Sequence, residues 1–217
     1  MPIKPQPFDR SKHVYKNDDF VELIKDAVRF FNGTPVRELP LTEAFTGTGV
    51  YALYYIGQEG IYGEYGVLNR MSYSYPIYVG KAVPKGWRQA RNSDSPTIKS
   101  RALFSRIREH SRSILNGSGI EIEDFTCRFM IFEGDASDMN GSIEAALIKL
   151  HKPLWNTALD GFGNHTPGNG RFEQAKSDWD VVHPGRGWAD KCKGLPRDIK
   201  TINAKISRHL KSLVKLT

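Results

Sequence analysis

Apolar residues in this chain switch between two periods, and the switches lay out its elements. Phe20, Leu23, Ile24, Ala27, Val28 and Phe31 recur at helical spacing behind Asn17 and Asp18, which suit a helix cap, and Asn32-Gly33 stops the run. Pro35 to Thr48 follows neither period and reads as loop. Val50 to Ile56 is a continuous tyrosine-rich run and predicts a strand. Gly57 to Tyr75, with four glycines, reads as a long irregular connection, and Pro76 to Val79 as a short second strand ended by Gly80. Residues 81–100 are polar and basic. A helix is predicted from about Arg101 to Leu115, stopped at Asn116-Gly117, with Leu103, Ile107 and Ile114 on one stripe. Phe125 to Phe132 predicts a third strand. Ser137 or Ser142 starts a helix that runs to about His151 and is closed by Pro153. Residues 156–187 carry repeated glycines and little periodicity. A basic helix from Asp198 to Leu216 follows, with Ile199, Ile202, Ile206, Leu210 and Leu213 on one face. Strand, strand, helix, strand, helix predicts an α/β (α+β) fold: a small three-stranded antiparallel sheet flanked by helices, with additions at both ends.

Length and composition fit that picture. At 217 residues the chain can bury one sizeable core, which predicts a single domain, and 39% hydrophobic with 25% charged residues is ordinary for a soluble protein. The net charge of +7 favours an anionic partner, and its distribution says more than its size. Lys81, Lys85, Arg88, Arg91, Lys99, Arg101, Arg106, Arg108 and Arg112 face only Asp94 and Glu109, so residues 81–112 alone carry +7. Residues 187–217 are basic as well. Two cysteines, Cys127 and Cys192, make neither a disulfide framework nor a metal-ligand set. With a polar, proline-containing N-terminus and no apolar run of about 20 residues, the expectation is a soluble cytoplasmic protein without a membrane span.

Candidate chemistry starts at Gly49-Val50-Tyr51 and Pro76-Ile77-Tyr78-Val79-Gly80-Lys81-Ala82. These two phrases resemble the halves of the GIY-YIG nuclease signature. The family pattern continues with an arginine on the next helix, a glutamate on a later one and an asparagine after a proline-containing turn. Here Arg106, Glu144 in Ser142-Ile143-Glu144-Ala145-Ala146-Leu147-Ile148, and Asn156 in Pro153-Leu154-Trp155-Asn156 stand in that order. The resemblance spans about residues 49–156, so residues 1–48, 57–75, 81–100 and 157–217 are expected to hold recognition or dimerisation elements. The chain departs from the pattern in the gap between its tyrosines, which is longer than a short hairpin. Tyr55-Ile56-Gly57 and Gly60-Ile61-Tyr62 each mimic half of the motif. Tyr55-Ile56-Gly57 has no compatible partner before it. Tyr62 lies in a glycine-rich stretch of weak strand character, whereas Tyr51 starts a stronger strand, which favours Tyr51.

The residues themselves leave a plainer reading open. Arg106 and His110, at i and i+4, lie together along the edge of the apolar stripe, which a solvated basic helix would also show. Glu144 shares a helix face with Leu147, Ile148 and His151, and a half-buried carboxylate there needs either an ion-pair partner or a metal. The resemblance implies metal-assisted phosphodiester hydrolysis. In it Glu144 holds one Mg²⁺, with Mn²⁺ able to substitute, and Arg106 stabilises phosphate charge. Tyr51 takes the proton of the attacking water, relayed through His110, and Tyr78 orients water or phosphate. Asn156 holds the site together, and Lys81, Arg106 and the metal favour the phenolate.

Additions embedded in a compact core resemble the type II restriction endonucleases of this family. The run Asp160-Gly161-Phe162-Gly163-Asn164-His165 through Arg171, Lys176 and Trp179 to Arg186 most resembles the enzymes that cut CCGCGG. That likeness implies double-stranded DNA as substrate, a homodimer or a higher oligomer on a palindromic site, and a cognate DNA methyltransferase. Lys85, Arg88, Arg91 and Lys99 are candidates for phosphate or guanine contacts, and Asn164, His165, Arg171, Lys176 and Arg186 for base edges or backbone positioning. A structural wrap of the glycine-rich tail over the core is the competing reading. A structure-specific repair or recombination nuclease, and a non-cleaving DNA-binding module on the same fold, are the alternatives.

Overall fold

The computed structural model describes residues 6–84, 100–166 and 172–214. Its centre is an antiparallel sheet built on β2 (Thr48–Tyr55), the strand in which every residue is buried. That burial explains why the sequence shows a continuous apolar run there instead of alternation, since both faces of the strand are covered. β2 pairs on one side with β3 (Tyr78–Ala82) and on the other with β4 (Phe125–Phe132). Register sets the faces. Tyr51 lies opposite Gly80 and Leu53 opposite Tyr78, so both tyrosines of the expected signature project from the same face of adjacent strands.

The sheet has four strands, not three. β1 (Val36–Glu38) pairs with the outer edge of β4, giving the order β1-β4-β2-β3. Three residues are too few to show a period, and the pairing is imposed by the exposed edge of β4 rather than by local sequence. β3 forms the other edge.

Helices cover both faces. α1 (Asp18–Gly33) begins where expected, with the Asn17 Oδ1 accepting from the backbone N–H groups of Asp19 and Phe20. It packs with α4 (Asn140–His151) over Val50, Ala52, Tyr54 and Val79. α3 (Ala102–Asn116) lies on the opposite face, where Leu103, Ile107 and Ile114 join Tyr51, Leu53 and Tyr78. The segment read as irregular between residues 57 and 75 is partly helical: a 3₁₀ turn at Gly60–Tyr62 leads into α2 (Gly63–Asn69). Its glycines conceal the helix in the sequence, yet Gly66 serves packing, because a Cβ there would lie 1.7 Å from the Gly57 carbonyl oxygen.

The C-terminal addition closes over the α3 face. α5 (Leu154–Thr157) and α6 (Asp178–Val182) bring Trp155, Phe162 and Trp179 into one aromatic cluster. α7 (Ile199–Val214) adds Ile202, Ile206, Leu210 and Leu213 to the same core, while Ile199 remains exposed. The wrap is therefore structural, and the apolar face of the last helix is satisfied by packing. No helix among the described residues is long and apolar enough to cross a membrane.

Candidate active site

Around the β3 edge the fold gathers the residues that chain order had only aligned. Tyr51 is fully buried, and its hydroxyl lies 2.6 Å from the Nε2 of His110 on α3. Tyr78 stands beside both, with ring centroids 6.2 Å from Tyr51 and 5.1 Å from His110. Gly80 is required by this arrangement: a Cβ at that position would sit 2.5 Å from the Tyr51 hydroxyl. Phe162, from the C-terminal addition, stacks on the His110 ring at 4.5 Å. A rigid α3 backbone and this aromatic floor leave the imidazole little rotational freedom.

Electrostatics fixes the protonation states. Burial, reinforced by Tyr78, pushes the Tyr51 phenol well above its usual pKa, although Arg106 pulls it down. Burial likewise raises Tyr78, against the attraction of Arg106 and with the Glu144 charge adding to the rise. Burial, and then the charges of Arg106, Arg186 and His165, holds His110 well below the ordinary imidazole value. The resting pair is thus a neutral phenol against a neutral imidazole. Among the chain's own groups desolvation outweighs the field of Arg106, so a phenolate at Tyr51 would need the further charge of a metal.

Arg106 reaches the same cleft from α3, four residues before His110. Its Nη1 donates to Glu109 Oε2 at 2.7 Å, its Nη2 donates to the Gly163 carbonyl at 2.8 Å, and His165 Nδ1 lies 3.1 Å from Nη1. On the other face of β3, Lys81 Nζ donates to Glu144 Oε2 at 2.6 Å. The half-buried carboxylate expected to need a partner has this lysine. Asn156 bridges the edge itself: Oδ1 accepts from the Val79 N–H and Nδ2 donates to the Val79 carbonyl, both at 2.8 Å. An edge strand offers unpaired backbone groups, and this one side chain satisfies a donor and an acceptor together.

The remaining predicted contacts divide. His165 belongs to the cleft, where its Nδ1 lies 2.9 Å from Glu109 Oε1. Asn164 and Lys176 line a polar groove of about 630 Å³ beside that loop, with Lys176 paired to Asp190 at 2.6 Å. Arg186 is a correction. It is buried, stacks on Trp179 and Trp188, and commits all five donors to Asp180 and to the carbonyls of Gly161, Phe162 and Asn164. Nothing remains on it for a base edge. Lys85, Arg88, Arg91, Lys99 and Arg171 lie outside the described residues.

Tyr62, the rival first tyrosine, is elsewhere. Its hydroxyl lies 2.7 Å from His183 Nε2 in the closed core, beside Tyr55 and Trp155. Sequence reading missed Glu109, Phe162 and Gly163. Glu109 stands one turn from Arg106, which is a signal for pairing, but Phe162 and Gly163 are joined to the site only by the fold.

A cation at Glu144 would have to share the carboxylate with Lys81, which already takes Oε2, and no cluster of three or more histidine, cysteine or acidic side chains exists among the described residues. A single carboxylate suits a hard divalent ion that keeps most of its water, and does not suit a closed protein cage.

No curated protein matches the chain. A model of the Eco29kI GIY-YIG domain family matches residues 43–210, a span that includes Tyr51, Tyr78, Arg106, His110, Glu144 and Asn156. That match covers more than three-quarters of the sequence, and the chain belongs to this restriction endonuclease family, as a GIY-YIG nuclease.

Proposed function

We propose that the protein is a type II, Mg²⁺-dependent restriction endonuclease that hydrolyses both strands of a palindromic GC-rich site, CCGCGG. The observation that carries this reading is the buried 2.6 Å Tyr51–His110 pair, with Arg106 at its side and Glu144 across the β3 edge. Residues 1–217 act as one endonuclease domain, with the catalytic core at about 49–156 and recognition or dimerisation elements in 1–48, 57–75, 81–100 and 157–217.

Tyr51 Oη takes the proton of the attacking water as its own proton passes to His110 Nε2. A neutral imidazole is needed for that relay, and the depressed pKa of His110 keeps one available. Arg106 donates to the phosphate oxygens, where negative charge grows in the transition state. Tyr78, its ring centroid 6.2 Å from that of Tyr51 on the same sheet face, orients the water or the phosphate. Asn156 keeps the β3 edge in register and so holds Tyr78 and Lys81 in place. When bound at Glu144, a divalent ion supplies Lewis-acid stabilisation of the phosphate and leaving group. Lys85, Arg88, Arg91, Lys99 and Arg171 neutralise phosphates or read guanine, with Asn164, His165 and Lys176 beside them. A two-fold homodimer would place one such site on each strand of a palindrome.

Digestion of a sequence-diverse plasmid with Mg²⁺ tests this directly. Discrete fragments ending within CCGCGG are expected. Junction-dependent nicks would point to repair, and an intact plasmid would remove the catalytic claim. Glu144→Ala is expected to abolish cleavage while duplex binding in a mobility-shift assay persists. Wild-type turnover in that variant would exclude the metal role.

A further inference from the structure

Arg106 is a long side chain at the half-buried edge of α3, and its guanidinium is held by two acceptors from different parts of the chain. Glu109 Oε2 accepts from Nη1 at 2.7 Å, the Gly163 carbonyl accepts from Nη2 at 2.8 Å, and His165 Nδ1 lies within reach of both Nη1 and Glu109 Oε1. Glu109 is the centre of this arrangement, because each of its oxygens has a different partner. Burial opposes its ionisation, but Arg106 and then His165 outweigh burial and hold its carboxyl below the usual value. Without such partners an arginine samples many rotamers, and ordering it on meeting a phosphate costs side-chain entropy.

A solvated i,i+3 ion pair would not look like this. Exposed pairs contribute little and need no third or fourth partner. Here the guanidinium side chain is only 16% exposed, and two of its three nitrogens are oriented by acceptors from opposite sides. One acceptor comes from the catalytic helix and the other from the C-terminal addition. Planar guanidinium geometry converts two such bonds into a fixed plane, which sets the direction of the remaining donors.

We infer that Glu109 is a positioning residue: together with the Gly163 carbonyl it fixes the plane of Arg106, so that the arginine meets the scissile phosphate already oriented. This inference rests on the proposed nuclease reaction for its consequence, and on the hydrogen-bond geometry for its cause. The loop Gly161–His165 then belongs to the catalytic apparatus, and not only to the wrap. Phe162 holds His110 and the adjacent Gly163 holds Arg106, so one short loop sets both groups.

The test compares wild type with Glu109→Gln and Glu109→Asp. Glu109→Gln keeps size and removes the charge that anchors Nη1. In single-turnover cleavage of a duplex, its chemical-step rate should fall on the order of 10- to 100-fold. Duplex affinity should be unchanged or tighter, since a negative charge is removed near DNA. Glu109→Asp should recover part of the rate. A wild-type rate in Glu109→Gln, or a loss confined to affinity, would overturn the inference. A second readout does not need cleavage. Arginine side-chain NMR should show slow rotation about the Arg106 Nε–Cζ bond in wild type and fast rotation in Glu109→Gln. If no DNA is cut by wild type but rotation still depends on Glu109, the nuclease reading fails while the positioning stands. If rotation is equally fast in both, the positioning itself is wrong.

Discussion

Among the described residues two tyrosine–histidine pairs are fully buried, and they are nearly the same by composition. Tyr51 meets His110 at 2.6 Å and Tyr62 meets His183 at 2.7 Å; Arg106 and Arg186 both act on His110, whereas Arg186 reaches His183 only through the intervening Trp179 ring. Their surroundings separate them. His183 has both ring nitrogens engaged, since Nδ1 lies 2.9 Å from the Ser118 carbonyl and so carries the proton, leaving Nε2 to accept from Tyr62. The neighbouring Arg186 has spent every donor on Asp180 and three carbonyls. Arg106, by contrast, keeps donors uncommitted at the cleft, with Tyr78 and the Lys81–Glu144 pair around the same strand edge. A phenol against an imidazole is therefore first a way to satisfy two buried polar groups. Chemistry arises where the accompanying charge still has hydrogen-bonding capacity and a path to substrate.

The sharpest way to break this contrast is to remove one hydroxyl from each pair. Tyr51→Phe should lower the cleavage rate by about 10²- to 10⁴-fold, the range for a lost general base, and should also cost about 1–2 kcal/mol of stability because His110 loses its buried donor. Tyr62→Phe should leave cleavage within a few-fold of wild type. Its cost is to the fold, about 1–2 kcal/mol in urea unfolding, because His183 loses its donor inside the core. An inactive Tyr62→Phe beside a fully active Tyr51→Phe would reverse the assignment of the two tyrosines.

Sequence pattern distinguished these tyrosines for a physical reason. Tyr51 begins a run that must be apolar on both faces of a central strand, so its environment is written locally. The order of Arg106, His110, Glu144 and Asn156 was legible because each sits on a regular helix or a proline-bounded turn. Tyr62 looked like an insertion because four glycines mask α2, and its partner His183 is 121 positions away. β1 was not legible, since three residues gain their strand character only from the β4 edge. Arg186 was misread for the same kind of reason. Its basic, glycine-flanked setting suggests a DNA contact, whereas its burial depends on carbonyls of residues 161–164 that the fold brings over it. Lys81 as the partner of Glu144 required the β3–α4 contact, which no spacing along the chain reveals.

Arg186→Met tests the sealed arginine. Removing it leaves Asp180 buried with only Ser177 as a side-chain partner, and it strands the carbonyl of Phe162. Breaking a buried pair in this way costs about 3–5 kcal/mol, visible as a large drop in the urea midpoint. Conditions that keep the variant folded should preserve most of its duplex affinity. A specific loss of DNA binding with unchanged stability would mean that Arg186 faces substrate after all, and the contrast with Arg106 would fail.

The smaller effect lies in pH. Burial lowers the His183 pKa to about 4, against a hydrogen bond to the Ser118 carbonyl that raises it. Its value in the unfolded chain is about 6.5, so between these limits the unfolded state binds more protons than the folded one. Stability from the neutral imidazole is complete above about pH 6.5 and is lost as pH falls toward 4. One proton gained on unfolding gives a slope of at most about 1.4 kcal/mol per pH unit in that window. His110 shifts in the same direction, so wild type should lose stability on acidification through both histidines. His183→Gln cannot take up that proton. Its unfolding free energy should start lower at pH 7 but fall less steeply between pH 6.5 and 4.5, with the difference in slope assigning one proton to the sealed pair. Equal slopes in the two proteins would show that His183 takes up its proton in the folded state as readily as in the unfolded one, and that the Tyr62 pair is not sealed from protons.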